Sequence, residues 1–385
     1  MDSKKFLPLE LIYELVNALP INHHWAAQRV SSEFDNLVFE RQADLIKIIL
    51  QKANVSTAQS YITTMVQLAN ADERIVFLTE YAILRTILGG NLFFHCHSVR
   101  FTPSQHEFCS EAVTLGNRLF NCAETKQSIV DHSVVMTFCG RMPHVCLDVS
   151  SFSQMSPQQF ALADGASANV QFVGCYSGGQ LLINDLALFG GLQNSVVLCP
   201  SDAFSAERAT QLAMTHNGIT YIRISPYPTP AIYGSSDHDK FEIGLFIVRL
   251  FNYRTNRHQS HKDKVVLVGI GAAVNLCEQA YRQLLNEKIP VTVLDMFSLK
   301  LTREFAVLSL VSILNVGRVV TVEEGVTPFC LPLASSILSF ISEKKLQVRV
   351  IHKKVNLPCN LNYSGFCAKS LHLRVILFKI SEDEN

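Results

Sequence analysis

The sequence has no excess of charge of either sign, because its 33 Lys and Arg residues balance 33 Asp and Glu residues. That balance excludes the basic surplus typical of nucleic-acid-binding proteins. No run of about 18 uninterrupted apolar residues occurs, so no transmembrane helix is expected. The first ten residues, MDSKKFLPLE, lack the apolar core of a secretory signal. These absences predict a cytoplasmic protein that uses neither a membrane nor a nucleic acid as partner.

Paired cysteines are also missing. The 11 cysteines are scattered singly, without a CxxC motif, so the sequence predicts no zinc site and no disulfide framework. Reduced, buried thiols of a cytosolic protein are the expected use of these residues. What the sequence does have is apolar material. Hydrophobic residues make up 48% of the 385 positions, which is enough for two or three domains.

Strand-like and helical patterns alternate along most of the chain. TAQSYITTMVQLAN at 57–70 has helical spacing, and ERIVFLTE at 73–80 reads as a short buried strand. Strand-like runs recur at RMPHVCLDV, ANVQFVG, SVVLCPSD and ITYIRIS, with helical stretches between them. The last of those helices is expected to have Ser205 as its N-cap and to stop near Gly218. The alternation predicts an α/β fold with parallel sheets.

A polar stretch at 252–263, NYRTNRHQSHKD, divides the chain, and a second strand–helix–strand–helix–strand series follows it. We therefore predict two parallel-sheet α/β domains, at 56–250 and 260–385, after a short helical N-terminal extension at 1–55.

Two features of the second series invite a functional interpretation. GIGAAV after its first strand lacks the third glycine of GxGxxG, so we expect a tight turn into a helix rather than a dinucleotide site. The acids at strand ends, Asp295, Glu323 and Glu324, are expected to be solvated turn residues.

Eight short phrases of the sequence resemble the second half of transketolases, in that family's order and at nearly its spacing. They are DLALF (185–189), VLCPSD (197–202), GITYIR (218–223), PAIY (230–233), FEIG (241–244), VVLVGIG (265–271), VLDMF (293–297) and GRVVTVEE (317–324). The resemblance implies that the first domain is the family's pyrimidine-binding domain for thiamine diphosphate. The second would be its C-terminal domain.

The resemblance also implies a missing part. Transketolases hold the pyrophosphate of the cofactor and its metal ion in a further domain with a GDG motif, and nothing at 1–55 resembles it. We therefore expect weak or absent binding of thiamine diphosphate by this chain alone. Split transketolases and the β subunits of 2-oxoacid dehydrogenases also lack that domain and complete the site with a partner chain. An active subunit of that kind remains an alternative.

The catalytic glutamate of the family is the first position to examine. It contacts the aminopyrimidine ring of the cofactor at a strand end, in a segment that resembles LFNCAETKQSIV at 119–130. An ungapped match places Lys126 at that position, and a charged lysine is a hydrogen-bond donor only. A match with a two-residue insertion places Glu124 there instead. The ungapped match is preferred, and Glu124 is kept as the candidate catalytic residue.

The same register implies two cofactor-binding residues. Phe152 matches the aromatic ring that stacks on the pyrimidine, although a core phenylalanine is an equal reading of it, and Gln180 matches the glutamine ending the family's DGPSQ motif. Other positions depart from the family. Tyr176 replaces a substrate-binding aspartate, and Pro226 follows IRIS where the family has a phosphate-gripping arginine. Arg223 is assigned a position outside that clamp.

These departures favour a transketolase-like chain that has lost catalysis and acts through binding, as a homodimer or with a transketolase-type chain. The stretch at 181–189 is one candidate surface, with intrachain packing as the alternative. A further alternative comes from LPLELIYELVNALP near the N-terminus, which is similar to an F-box. That similarity implies an adaptor of a ubiquitin ligase.

Overall fold

The computed structural model describes residues 55–79, 118–121, 128–152, 154–175, 185–250, 265–286, 289–315, 317–324 and 332–355. The N-terminal extension, with its F-box-like pattern, lies outside the described residues. Of the helices within these ranges, none combines the length and the apolar character needed to cross a bilayer.

The first sheet is wholly parallel, as the alternating pattern predicts. Its spatial order is β2-β1-β3-β4-β6-β5. The strands are β1 (Ile75–Thr79), β2 (Leu119–Asn121), β3 (Met142–Asp148), β4 (Gln171–Cys175), β5 (Val196–Leu198) and β6 (Thr220–Ile224). The helices packed around it are α1 (Thr57–Ala71), α2 (Ile129–Phe138), α3 (Val149–Phe152), α4 (Pro157–Gly165), α5 (Asp185–Gly190) and α6 (Ala203–Ala213).

The second sheet has the order β11-β10-β8-β9-β7. Its strands are β7 (Ile247–Leu250), β8 (Val265–Gly269), β9 (Val291–Asp295), β10 (Arg318–Glu324) and β11 (Arg349–Val355), with helices α7 (Ala273–Asn286), α8 (Glu304–Leu314) and α9 (Pro332–Glu343). Both domains are therefore α/β units with parallel sheets, in agreement with the expected fold class.

Strand β7 departs from the expected domain plan. It lies within the stretch assigned to the first domain, yet it pairs antiparallel with β9 as an edge of the second sheet. A four-residue edge strand that follows a 3-10 helix (Ser235–Lys240) carries too short a pattern for periodicity to assign it to a sheet.

Local sequence explains how α6 begins. Asp202 is its N-cap, and its carboxylate accepts a hydrogen bond from the Ser205 amide at 2.8 Å. The Ser205 hydroxyl accepts in turn from the Asp202 amide at 2.9 Å, completing a capping box. The expectation that Ser205 is the N-cap is wrong by three residues, because Asp202 satisfies the free amides first and Ser205 serves as its N3 partner.

The glycine turn after β8 is confirmed. Gly271 has φ +58, a left-handed conformation that favours glycine, and α7 begins two residues later. A Cβ at Gly269 would lie 3.0 Å from Cys277 Sγ, so this position needs a glycine for close helix–strand packing. The two glycines thus serve the turn into α7.

A buried polar row crosses the first sheet beneath α1 and α6. His144, Gln171 and Thr220 are register partners on three adjacent strands, and each is at most 1% exposed. Neither ring nitrogen of His144 has a hydrogen-bond partner within the described structure. Burial lowers the pKa of His144 to about 3, so the imidazole is neutral at physiological pH.

We predict that His144→Leu reduces the loss of unfolding free energy that occurs as the pH is lowered. The unfolded chain binds a proton at His144 near pH 6.5 and the folded chain does not, so this histidine destabilises the fold as pH falls from 6.5 towards 3. Urea unfolding at pH 7 and 4.5 should show a pH-linked loss smaller by about 2–3 kcal/mol in the variant than in the wild type. Exposed His238→Leu is the control, and equal losses in all three proteins would contradict the prediction.

Candidate functional site

The expected cofactor edge follows the carboxyl ends of the first sheet. Strand β2 ends at Asn121 and α2 begins at Ile129, so Glu124 and Lys126 occupy the connection between them in sequence. Residues 122–127 lie outside the described structure. Because β2 runs parallel to β1, its end at Asn121 lies at the same edge of the sheet as the end of β1 at Thr79. The choice between Glu124 and Lys126 stays a prediction.

Gln180 and Tyr176 follow a second strand at the same edge. Strand β4 ends at Cys175, and the next described element, α5, begins at Asp185. Both residues fall in 176–184, outside the described residues, so the cofactor contact of Gln180 also stays a prediction.

Phe152 lies in an aromatic cluster inside the first domain. It is 1% exposed and makes edge contacts with the rings of Phe172, Phe189 and Tyr221 at centroid distances of 6.1, 5.3 and 5.7 Å. Phe160 is a fourth neighbour at 6.3 Å. The structure thus places this ring among other rings of the core, and its role in stacking on a pyrimidine stays a prediction.

Tyr221 connects that cluster to a buried ion pair. Its ring stacks on Phe189 at a centroid distance of 4.0 Å and an interplanar angle of 7°. Its hydroxyl donates to Asp185 Oδ2 at 2.5 Å, and the same oxygen lies 3.3 Å from Arg223 Nε. The side chains of Asp185 and Arg223 are only 2% and 11% exposed. An ion pair this far from water depends on both partners, because either one alone would be an uncompensated buried charge.

Arg223 faces the second domain across a small cavity. The cavity has a volume of about 20 Å³ and is lined by Arg223, Cys199 and Thr57 from the first domain and by Gly271 and Glu324 from the second. It has room for about one water molecule. Pockets for drug-sized organic ligands are usually larger than about 300 Å³. The described residues here therefore suit a close contact between domains rather than a ligand pocket.

The strand-end acids of the second sheet are not solvated turn residues, so that expectation is wrong. Asp295 and Glu323 are 0% exposed, and Glu323 accepts the amides of Leu333 and Ala334 at the start of α9, both at 3.0 Å. They are buried because the ends of β9 and β10 meet other elements of the fold, which a strand pattern alone does not reveal.

Asp295 joins the two domains directly. Its Oδ2 accepts hydrogen bonds from Ser201 Oγ at 2.8 Å and from Tyr233 Oη at 2.9 Å. Asn275 Nδ2 in α7 donates to the Ser201 carbonyl at 3.0 Å. Asp202, besides capping α6, accepts the amide of Tyr233 at 2.9 Å. The signal in the sequence was an acid directly after a four-residue, mainly apolar strand run, VTVL, at 291–294, all of which is buried.

Burial governs the ionisation of these acids. It raises the pKa of Asp295 to about 7, against the opposing effect of the Ser201 and Tyr233 hydroxyls. It also raises the pKa of Glu324 to about 7, although the Arg223 guanidinium acts in the opposite direction. This geometry supports contacts between protein groups where the two domains meet, a region called the seam below. It also supports acids with pKa values near neutral pH at that seam.

We predict that Arg223→Met lowers the free energy of unfolding by about 3–5 kcal/mol, because it leaves Asp185 buried without its counter-ion. Urea denaturation at one fixed pH measures the change. The matched control is Arg74→Met, which removes an exposed pair with Asp72 and should change the free energy of unfolding far less. Equal effects of the two substitutions would show that the buried pair has no special weight.

Comparison with known proteins agrees with this architecture. The family model for the transketolase C-terminal domain matches residues 254–356. Transketolase-like protein 2 of Bos taurus is 27% identical over 278 residues, which cover 70% of this chain and 40% of that protein. Transketolase of Rattus norvegicus is 28% identical over 216 residues, which cover 54% of this chain and 33% of the enzyme. The chain therefore spans about 40% or less of the length of these relatives.

Solved structures share the fold. A chain described as "Split gene transketolase, inactive beta4 tetramer" has a TM-score of 0.59 at 22% identity, with 80% of this chain and 91% of that chain covered. Transketolase from Campylobacter jejuni has a TM-score of 0.55 at 13% identity, covering 92% of this chain and 47% of the enzyme. Residues 254–356 thus match the transketolase C-terminal family, and the chain is similar to transketolase-like proteins in sequence and to transketolases in fold.

Proposed function

We propose that this chain is a transketolase-related protein that has lost ketol transfer and acts by binding a second copy of itself. The observation that carries the proposal is the state of its only arginine near the end of β6. Arg223 is held inside the protein by Asp185, and Pro226, which stands at the family's phosphate-gripping position, has no charge to offer. No bidentate grip on a sugar phosphate can form from these two residues.

The described cofactor residue fits thiamine diphosphate poorly. In the family this cofactor supplies a thiazolium carbanion that attacks the ketose donor. Stacking on its pyrimidine would need an open ring face, and Phe152 is enclosed by Phe160, Phe172, Phe189 and Tyr221. Each aromatic pair that Phe152 forms contributes about 0.5–1.5 kcal/mol to the stability of the core, so exposing the Phe152 ring to a ligand would destabilise the fold. The proposal also places Lys126 at the position where the family has its catalytic glutamate.

We predict no binding of thiamine diphosphate by the full chain. Calorimetry with thiamine diphosphate and magnesium should show no heat of binding up to millimolar ligand, since the proposal places Lys126 at the glutamate position and the Phe152 ring is enclosed in the core. A catalytically active transketolase measured in parallel is the positive control. Micromolar binding that Glu124→Gln abolishes and Lys126→Gln leaves intact would overturn the proposal in favour of an active subunit.

The binding surface proposed here is an apolar face formed by α2 and α4. Val135, Phe138 and Leu162 are 59%, 72% and 74% exposed. Gln159 Nε2 donates to Asp131 Oδ2 at 2.8 Å, which fixes the two helices side by side. Val135 and Leu162 each lie about one turn beyond that hydrogen bond, so they fall on the same face. Clustered large apolar side chains of this exposure mark interaction sites more often than scattered ones do.

A second copy of the chain is the occupant that the comparisons favour. The split-gene neighbour, of which 91% is covered, is described as a β4 tetramer. By contrast, the described part of 181–189 favours the intrachain alternative, because Leu186 and Phe189 are 2% and 0% exposed and pack in the core. The proposal therefore moves the self-association surface from that stretch to α2 and α4.

We predict that Phe138→Asp weakens self-association at least tenfold, because it places a charge where the copies would bury an aromatic ring. Analytical ultracentrifugation across a concentration series measures the dissociation constant. Leu338→Asp, at a 50% exposed position on α9, is the control and should leave association unchanged. A wild-type chain that stays monomeric at tens of micromolar would overturn self-association, and mixing with a transketolase would then test the other partner.

A further inference from the structure

Two acids at the seam between the domains have no full set of partners. Asp295 ends β9 and Glu324 ends β10, and β8, whose glycine turn lines the same seam, lies between them in the sheet. Asp295 Oδ1 and Glu324 Oε1 are buried, and neither has a hydrogen-bond partner within the described structure. Each acid therefore brings one unsatisfied oxygen to a contact with the first domain.

Asp295 has more acidic than basic surroundings. From the first domain it faces the hydroxyls of Ser201 and Tyr233 and the buried carboxyl of Asp202. The basic group that faces it is Arg249, which is already paired with Glu278 of α7 and lies 4.9 Å from the centroid of the Tyr233 ring. The Cys277 thiol of α7 is a further neighbour, and its burial raises its pKa beyond the physiological range.

Glu324 has a similar environment. It faces Arg223, whose guanidinium is paired with Asp185, and the carboxyl of Asp185 itself. Cys199 lines the same cavity. Glu323, which precedes Glu324 in the sequence, instead accepts hydrogen bonds from the amides at the start of α9. The Nδ1 atom of His352 lies 3.7 Å from Glu323 Oε1.

We propose that the seam between the two domains is a proton-controlled contact, closed when Asp295 and Glu324 are neutral and loosened when both are ionised. With both ionised, these two carboxylates join Asp185 and Asp202 at one buried surface. Among the described neighbours the cations are Arg223, which already pairs with Asp185 of this set, and Arg249, which already pairs with Glu278 outside it, so three of the four carboxylates have no cation of their own. Separating the domains admits water to the uncompensated charges, which relieves the cost of burying them.

The direction of the pH dependence follows from burial. The pKa values of Asp295 and Glu324 are raised to about 7 from ordinary values of 3.8 and 4.5. The closed form therefore holds protons that the open form releases, and its stabilisation is complete at the acid end of this range and lost as pH rises through about 7. His144 acts in the opposite sense, but its effect lies below pH 6.5. The window from pH 6.5 to 8.5 isolates the seam.

Hydrogen–deuterium exchange of the full chain tests the proposal. After correction for the intrinsic pH dependence of exchange, protection of the Ile232 and Tyr233 amides, which donate to Asp202 at the seam, should fall at least tenfold between pH 6.5 and 8.5. Amides of the β3–β4 ladder, deep in the first sheet, should keep their protection. Unchanged protection of the two seam amides in the wild type would overturn the proposal by itself.

Variants distinguish a proton switch from general loosening at alkaline pH. Asp295→Asn combined with Glu324→Gln removes both titrating groups, so the tenfold fall should disappear. Glu73→Gln, which removes an exposed acid just before β1, at the end of the first sheet opposite the seam, should retain it. A double variant that keeps the fall would overturn the proposal. If that variant does not fold, Glu324→Gln alone should still reduce the fall, and an unreduced fall would count against the proposal.

Discussion

The constraint on which this structure depends is the burial of strand-end polar groups between two sheets. The carboxyl ends of parallel strands collect loops and polar side chains, and here the ends of β5 and β6 meet those of β8 and β10 around one small cavity. The cavity has room for about one water molecule, so most polar atoms there need protein partners. Asp185 and Arg223 therefore pair within the first domain, while Ser201 donates to Asp295 of the second domain and helps to fix how the two domains meet.

The aromatic cluster and the polar groups of the seam are connected through Tyr221. Tyr221 stacks on Phe189 on its core side and donates to Asp185 on its polar side. Phe152 packs edge-on against both rings. A ligand that pulled Phe152 out of the cluster would also disturb the support of the Asp185–Arg223 pair. The ring that the resemblance assigns to a cofactor contact is thus packed, in this chain, against the residues that support the Asp185–Arg223 pair.

The sequence predicted the elements better than it predicted their surroundings. Runs such as ITYIRIS and PVTVLDMF were identified as strands because apolar side chains on both faces of a parallel strand leave a clear local pattern. The burial of Asp295 and Glu323 was missed because it depends on which elements lie beyond the strand ends, and that is a tertiary property. Strand β7 was missed for the same reason, because its four residues form a strand only through pairing with β9, which the local sequence does not reveal. The site around Glu124, Lys126 and Gln180 still rests on register alone.

The phrases that carry the resemblance to transketolases are, to a large extent, the phrases that build the seam. DLALF contributes Asp185, GITYIR contributes Tyr221 and Arg223, and VLDMF contributes Asp295, while PAIY and GRVVTVEE contribute Tyr233 and Glu324. The positions at which the chain departs from the family, such as Lys126, Tyr176 and Pro226, are those assigned to cofactor and substrate. The phrases that resemble transketolases are therefore the ones that join the two α/β domains of this chain. Under the proposed function, that joint holds a surface such as the α2–α4 face in a fixed orientation.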